Sequence, residues 1–246
     1  MKILVFTGGE APEPKAAQFF LQKLLGEQKK PDFVVAADSG LESLRDWQAH
    51  YSDEYDLAPS VIVGDFDSLS DKKILDDYDA RLVERSPAYK DLTDTELALT
   101  RAHDFAQGQA QKQKAFITLI GGAGGLRTDH FLAIYNLFGT PLAPDAWICG
   151  QQIFYKAQKA SFEISGLKPG DTISIARAFG KNSGGKIRSQ GLEWESRVFR
   201  KKGMPSVSNT IKEEFARNGR PVKIEFLRGS FVLILPLWAD VKKNSR

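Results

Sequence analysis

VIVGDFDSLS, residues 61–70, is the stretch of sequence that decides the fold. A short apolar run ends at Gly64, and Asp65 and Asp67 follow directly on either side of Phe66. A run of this length bounded by a glycine predicts a buried β-strand. Since side chains two residues apart in an extended chain point to the same side, both carboxylates are expected to face one cation. The alternative is that these aspartates only terminate the strand and cap the next helix.

The same pattern of a short apolar run that ends in aspartate or glycine recurs through residues 1–150. FVVAAD (33–38) and FITLIGG (116–122) also read as buried strands that end in Asp38 or glycine, and helical patterns such as PKAAQFFLQKLL (14–25) lie between the strands. This alternation predicts a parallel sheet with helices on its faces. Ligands of such sheets gather beyond the carboxyl ends of the strands. After residue 150 the pattern changes to short strands separated by turns, which predicts an all-β second domain over residues 151–246.

A second acidic cluster lies in KDLTDTELAL, residues 90–99. Thr93 and Glu96 have the spacing of a capping box, which predicts a helix that starts here. Asp94 then falls in the first helical turn, with Asp91 just before it. Acidic first turns are common because they complement the helix dipole. Together with the strand-end aspartates, however, Asp94 favours a site for Mg²⁺, a hard cation that prefers oxygen ligands and substrate phosphates.

A glycine-rich turn followed by a helical pattern, GGAGGLRTDH (121–130), is a candidate phosphate-binding segment. Glycines allow backbone N–H groups to approach phosphate, and a helix start favours anions. Arg127 would add a charged fork, and Asp129 or His130 would orient water or a metal. The segment lacks the third glycine of a dinucleotide fingerprint. GKNSGGKI (180–187) has isoleucine where a P-loop needs Ser or Thr, and is therefore predicted to be a turn.

Composition excludes several classes of protein. The 34 basic and 31 acidic residues are scattered and give a net charge of only +3, which does not favour nucleic acid binding. The longest apolar run, residues 231–235, is far too short for a membrane span. The N-terminal MKILVFTGG reads as a first β-strand rather than a signal peptide. A single cysteine, Cys149, with apolar neighbours predicts a buried thiol in a reducing compartment, hence a cytoplasmic protein.

The motifs together resemble the thiamin pyrophosphokinase (thiamine diphosphokinase) family. The resemblance covers most of the chain, and GDFDS combined with KDxTDxxxAL is a specific pair. The matching segments are AADSG (36–40), GDFDS (64–68), KDLTDTELAL (90–99), GGAGGLRTDH (121–130), GLEWES (191–196) and PSVSN (205–209).

The resemblance implies a catalytic α/β domain and a β-rich thiamin-binding domain, with ATP as donor and Mg²⁺ as metal. It also implies a homodimer that holds thiamin between subunits. The apolar run FVLILPLW (231–238) needs covering, so we expect the second domain to form the dimer interface. The reaction that the family implies moves a pyrophosphoryl group from ATP to the hydroxyl of thiamin and releases AMP.

Site residues are carried over from the family motifs, each with an expected role. Asp94 is the candidate for aligning or deprotonating the hydroxyl, and Trp194 would offer its indole to the thiazolium cation unless it is a core residue. The expected metal ligands are Asp38, Asp65, Asp67 and Asp94, of which the last three are also the catalytic candidates. The expected nucleotide-binding residues are Asp38, Ser39, Lys90, Asp91, Arg127 and Asp129. The expected thiamin-binding residues are Trp194, Ser208 and Asn209.

Two departures from the family pattern are visible, Ser39 where glycine is usual and Leu126 as an extra residue before Arg127. Two other functions fit parts of the sequence. The segment that ends in Asp65 and Asp67 is similar to the strand end of haloacid dehalogenase-type phosphatases, although their downstream lysine and acidic motif are not found. A non-catalytic thiamin or nucleotide sensor on the same scaffold is the other alternative.

Overall fold

The structure, a computed structural model, describes residues 1–87, 91–109, 113–122, 127–178, 185–195 and 206–245. Lys90 and Leu126 lie outside the described residues, as does most of the GKNSGGKI turn. The chain divides into two compact units. The first comprises residues 1–134 and 142–151, and the second comprises residues 135–141 and 152–246.

The first unit contains a parallel sheet with helices between its strands, which confirms the α/β class. Its strands are β1 Lys2–Thr7, β2 Phe33–Ala37, β3 Val61–Gly64, β4 Val83–Arg85, β5 Phe116–Gly121 and β6 Ala146–Cys149. The described helices are α1 Pro14–Leu25, α2 Gly40–His50, α3 Asp94–Gly108 and α4 Thr128–Leu137, and the last three residues of α4 belong to the second unit. Two described 3-10 helices span Lys72–Asp77 and Ala80–Leu82. The strand order is β6-β5-β1-β2-β3-β4. The chain runs from β1 towards β4 and then returns to the other side of β1, so the switch point, where ligands of such sheets bind, lies at β1.

Helices α2 and α3 both pack on the central strands β1 and β2. Helix α2 starts so close to β1 that a Cβ on Gly40 would lie 2.5 Å from the Phe6 carbonyl oxygen. A glycine is therefore required here, and the close approach brings the turn between β2 and α2 to the end of β1.

In its described residues, the second unit is built of antiparallel strands and the short helix α5. The elements are β7 Gln152–Ala157, β8 Ala160–Ser165, β9 Thr172–Arg177, β10 Lys186–Gln190, β11 Ser206–Thr210, α5 Glu213–Arg217, β12 Val222–Arg228, β13 Phe231–Pro236 and β14 Asp240–Ser245. Strands β11, β9, β13 and β7 lie side by side in that order, and β10, β12, β8 and β14 form a separate sheet. Aromatic rings from both sheets form the core of this unit. The ring centroid of Phe162 in β8 lies 5.9 Å from that of Tyr155 in β7 and 5.6 Å from that of Phe226 in β12.

The apolar strand β13 is covered within the chain. It pairs with β7 on one side and β9 on the other, and five of its six residues are buried. The expectation that this run leaves an open apolar face is therefore wrong. The run is continuously apolar because β13 is a central strand that packs on both of its faces. The expected dimer remains a prediction that rests on the family resemblance alone. Among the described residues, no helix is long and apolar enough to cross a membrane.

Candidate functional site

The site lies at the carboxyl ends of β1, β2 and β3, where Thr7 is the last residue of β1, Asp38 follows β2 and Asp65 follows β3. Asp94 is the first residue of α3, which packs on the same three strands. The parallel arrangement thus brings carboxylates from three separate sequence motifs to one edge of the sheet.

Asp38 is the most buried of these carboxylates, with 9% of its surface exposed. It adopts a left-handed backbone with φ 50° and donates its N–H to the Val63 carbonyl at 2.9 Å. Its Oδ2 accepts a hydrogen bond from Ser68 Oγ, while its Oδ1 is buried without a hydrogen-bond partner. A buried acceptor left unpaired costs free energy of about 1–3 kcal/mol, so this atom marks a place where a ligand would supply the missing interaction.

Asp65 and Asp67 lie in a turn and do not share the side of a strand. Strand β3 ends at Gly64, and Phe66 is fully buried with a left-handed φ of 61°. The Asp67 backbone N–H donates to Asp65 Oδ1 at 3.1 Å, as in an Asx turn. The alternation argument therefore fails, because the left-handed backbone of Phe66 interrupts the extended conformation on which alternation depends. Asp65 is half-buried and Asp67 is exposed.

Asp94 is fixed by the capping of α3, as the sequence predicts. Thr93 Oγ1 accepts from the Glu96 N–H at 3.2 Å, and Glu96 Oε2 accepts from the Thr93 N–H at 2.9 Å. A hydrogen bond of 2.6 Å between Thr7 Oγ1 and Thr95 Oγ1 ties the first turn of the helix to the end of β1. The position of Asp94 relative to the sheet is thus set both by the capping of α3 and by the hydrogen bond between Thr7 and Thr95.

Asp38, Asp65 and Asp94 form a compact acidic group in which one carboxylate oxygen from each lies within 4.8 Å of the others. Asp67 lies outside this group of three. Burial raises the pKa of Asp38, and the negative charges of Asp94, Asp65 and Asp67 raise it further, while the hydrogen bond from Ser68 opposes the shift. Three converging carboxylates with an unpaired buried oxygen form a donor set that suits a hard divalent cation.

Arg127 and Asp129 are brought together at the start of α4. The Arg127 guanidinium contacts Asp129 through two nitrogens, Nε at 3.0 Å and Nη2 at 2.9 Å, and its Nη2 also lies 2.5 Å from His130 Nε2. The hydrogen bond from Arg127 lowers the pKa of Asp129 to about 2. Both side chains are largely exposed, so the guanidinium is oriented by Asp129 and still open to an anion.

Ser39 and Asp91, two further residues that we expect to bind the nucleotide, lie just before helices α2 and α3. Ser39 precedes α2, and a Cβ on Gly8 would lie 2.5 Å from Ser39 Oγ, so glycine after β1 leaves room for this hydroxyl. Asp91 is exposed just before α3. The expected role of Lys90 stays a prediction.

The expected thiamin-binding residues lie together in the second unit but differ in environment. Trp194 has 64% of its surface exposed, which excludes the alternative that it is a core tryptophan. Ser208 is exposed with a left-handed φ of 54°. Asn209 is completely buried, and its side chain binds the backbone of Trp194. The three residues are neighbours because Leu192 bridges Ile211 in an antiparallel arrangement.

Two hydroxyl residues that support the acidic group are missing from the sequence prediction. Ser68 binds Asp38, and Thr7 binds the first turn of α3. Both had a weak signal: Ser68 ends the GDFDS motif, and Thr7 is the polar residue that ends the first strand. Neither partner was predictable, because each lies about 30 residues or more away in the sequence.

The chain matches a family profile described as thiamin pyrophosphokinase, catalytic domain, over residues 25–148, which is half of its length. Its fold is similar to that of the thiamine pyrophosphokinase from Bacillus subtilis, with a TM-score of 0.68, 20% identity, and 96% of this chain and 99% of that chain covered. A thiamin pyrophosphokinase family protein from Enterococcus faecalis gives a TM-score of 0.64 at 22% identity, with 96% and 99% covered. The yeast thiamin pyrophosphokinase gives a TM-score of 0.62 at 14% identity, with 96% of this chain and 86% of the yeast chain covered. No curated protein sequence matches the chain.

Proposed function

The chain belongs to the thiamin pyrophosphokinase family, and we propose that Asp38, Asp65 and Asp94 form the Mg²⁺ centre of its reaction. The enzyme transfers the pyrophosphoryl group of ATP to the hydroxyl of thiamin and gives thiamin diphosphate and AMP. The single observation that carries the proposal is the convergence of three carboxylates within 4.8 Å of one another at the switch point of the sheet. Neither the phosphatase nor the sensor alternative has support among the matches.

The residues present fit a magnesium ion. Asp38 Oδ1 is buried and lacks a hydrogen-bond partner, and hard carboxylate oxygens are the ligands that Mg²⁺ prefers. Asp38, Asp65 and Asp94 would hold the ion, and Asp67 remains a predicted fourth ligand. When bound, Mg²⁺ supplies neutralisation of the negative charge on the triphosphate.

The transfer is a displacement at the β-phosphorus of ATP. The hydroxyl oxygen of thiamin forms a bond to that phosphorus, the bond from phosphorus to the bridging oxygen of the α-phosphate breaks, and AMP leaves with the electron pair. The hydroxyl proton passes to a carboxylate, for which we propose Asp94, because its position is fixed by the capped start of α3 and by the contact between Thr7 and Thr95.

The nucleotide would be bound by positively charged and polar groups. Arg127 offers an exposed guanidinium that is held through Nε and Nη2 by Asp129 and His130, which leaves Nη1 to donate to phosphate oxygens. We propose the same role of nucleotide binding for Ser39, Lys90 and Asp91, on the basis of the family resemblance.

For the second unit, we propose that it is a sandwich-like thiamin-binding domain to which Trp194, Ser208 and Asn209 belong. The exposed indole of Trp194 supports this proposal, since the face of an indole attracts a cation such as thiazolium. We further propose that the enzyme is a cytoplasmic homodimer, and sedimentation at micromolar concentration tests its oligomeric state.

Mass spectrometry of the products tests the reaction. The full chain incubated with thiamin, ATP and Mg²⁺ is expected to accumulate thiamin diphosphate and AMP in equal amounts. Accumulation of ADP and thiamin monophosphate would contradict pyrophosphoryl transfer but would not contradict the proposed metal site. A parallel incubation with a generic phosphate ester is expected to give no hydrolysis, and hydrolysis there would favour the phosphatase alternative.

A further inference from the structure

Asn209 is fully buried, and every hydrogen-bonding position of its amide is occupied within the chain. Its Oδ1 accepts from the N–H groups of Trp194 at 3.1 Å and Thr210 at 2.9 Å. Its Nδ2 donates to the Trp194 carbonyl at 2.8 Å and to Ser206 Oγ at 2.9 Å. A side-chain amide has two acceptor and two donor positions, so none is left for a substrate. The orientation of the amide is fixed as well, because a backbone N–H only donates and a carbonyl only accepts.

A β-bulge turns this side chain inwards. In the pairing of β11 with β9, Ser206 lies opposite Ile175 and Asn209 opposite Ile173, so β11 has one extra residue in this interval. Ser208 lies in the bulge with a left-handed backbone, and its N–H donates to Ser174 Oγ at 3.0 Å. A bulge redirects the side chains that follow it. Here it leaves Ser208 exposed and buries Asn209 completely.

The amide of Asn209 takes the place of a neighbouring strand for Trp194. Up to this point the segment pairs through its backbone: Leu192 bridges Ile211, and the Glu193 N–H donates to the Thr210 carbonyl at 2.9 Å. At Trp194, both the N–H and the carbonyl are bound by the Asn209 side chain. The backbone that carries the exposed indole is thus held by one buried amide.

The residue after Trp194 is anchored independently. Glu195 accepts from Ser189 Oγ at 2.6 Å and from the Gly191 N–H at 2.8 Å, and it is largely buried. The turn that carries Trp194 is therefore fixed by Asn209 and by Glu195, while Trp194 has 64% of its surface exposed. A rigid backbone under an exposed aromatic ring is an arrangement that presents the ring to a ligand at low entropic cost.

We propose that Asn209 is a positioning residue that acts on thiamin only through Trp194 and does not contact the substrate. This inference rests on the proposed role of Trp194 in thiamin binding. It separates two residues that the sequence treats as a pair, because Ser208 is exposed to a ligand and Asn209 is not.

A double-mutant cycle on thiamin KM tests the proposal. Asn209→Ala is expected to raise the KM for thiamin about tenfold, with kcat and the KM for ATP within about twofold of the wild type, since two hydrogen bonds to Trp194 are lost. In the Trp194→Ala background, Asn209→Ala is expected to cause no further rise in the KM for thiamin. Effects that multiply would show that Asn209 acts independently of Trp194 and would overturn the proposal. A fall in kcat, or a matching rise in the KM for ATP, would also overturn it.

Tryptophan fluorescence tests the same inference without turnover. Asn209→Asp keeps the shape of the side chain but loses both donors, and is expected to change the emission and acrylamide quenching of the chain. The same substitution in the Trp194→Phe background is expected to change neither. Unchanged emission in the first case, or an equal change in both, would overturn the proposal. Because this readout needs no substrate, it decides whether Asn209 positions Trp194 even if the wild type does not act on thiamin.

Two controls complete the design. Glu213→Gln removes an exposed charge that pairs with Arg217 on the nearby helix α5 and is expected to change neither thiamin KM nor emission. Circular dichroism confirms that each variant is folded. If Asn209→Ala does not fold, Asn209→Asp takes its place in the cycle with the same expected result.

Discussion

The acidic group of the first unit and the Trp194 turn of the second unit use buried polar groups in opposite ways. Asp38 is buried with one carboxylate oxygen unpaired, next to two further carboxylates. Asn209 is buried with all four hydrogen-bonding positions filled. Because an unpaired buried acceptor costs free energy and a satisfied amide stabilises its surroundings, the first arrangement is suited to a ligand and the second to support. The comparison shows that burial alone does not identify a binding residue.

Asp65→Asn is expected to give the largest loss, about 10³-fold in kcat, because it removes a charge from the centre that meets the phosphates. The KM for thiamin is expected to change little. The metal-free variant is expected to melt at a higher temperature than the wild type, since Asp65 repels the buried Asp38. Steady-state kinetics and thermal melting in EDTA provide both measurements. Wild-type turnover in the folded variant would remove Asp65 from the centre.

Asp67→Asn is expected to keep the fold and to remove most of the activity, on the order of 10–100-fold in kcat. The loss is expected to be smaller than for Asp65→Asn, because Asp67 is exposed and lies outside the group of three carboxylates. Kinetics of the two variants at equal Mg²⁺ concentration give the comparison. Equal losses would show that Asp67 belongs to the centre as fully as Asp65.

Ser68→Ala is expected to weaken Mg²⁺ binding by about tenfold while the fold is unchanged. The hydroxyl holds Oδ2 of Asp38, and without it the carboxylate is free to rotate away from the other two. Calorimetric titration of the nucleotide-free enzyme with Mg²⁺ measures this effect. Ser70→Ala is a matched control, because Ser70 binds Glu42 through its backbone N–H, which the substitution leaves in place. Equal affinity in the two variants would exclude a role for Ser68.

Cys149 is expected to show the smallest effect on activity. Burial raises the pKa of its thiol to about 12, so the thiol stays protonated in the folded protein at pH 8 and should react slowly with iodoacetamide. Because the folded pKa is raised, the thiol has no effect on stability below about pH 8.5, the unfolded value, and stability falls as the pH rises towards 12. Cys149→Ala is expected to keep turnover within twofold. Rapid labelling of the native chain would contradict the burial, and labelling in urea serves as the control.

Much of the fold was predictable because it depends on local patterns. The apolar runs predicted β1, β2, β3 and β5, and the spacing of Thr93 and Glu96 predicted the start of α3. The run of residues 231–238 was misread, since a continuous apolar run fits either an exposed face or a central strand, and only its partners β7 and β9 decide between them.

For the candidate site, the sequence by itself determined which carboxylates end strands β2 and β3 and begin helix α3. Periodicity and capping are properties of neighbouring residues, so Asp38, Asp65 and Asp94 could be named without coordinates. Only the tertiary structure decided that Asp67 turns to solvent, that Trp194 is exposed and that Asn209 faces inwards. Each of these outcomes depends on a backbone turn, the left-handed Phe66 or the bulge at Ser208, and on its contacts with partners distant in the sequence. Such conformations are set by packing, which no local pattern of residues records.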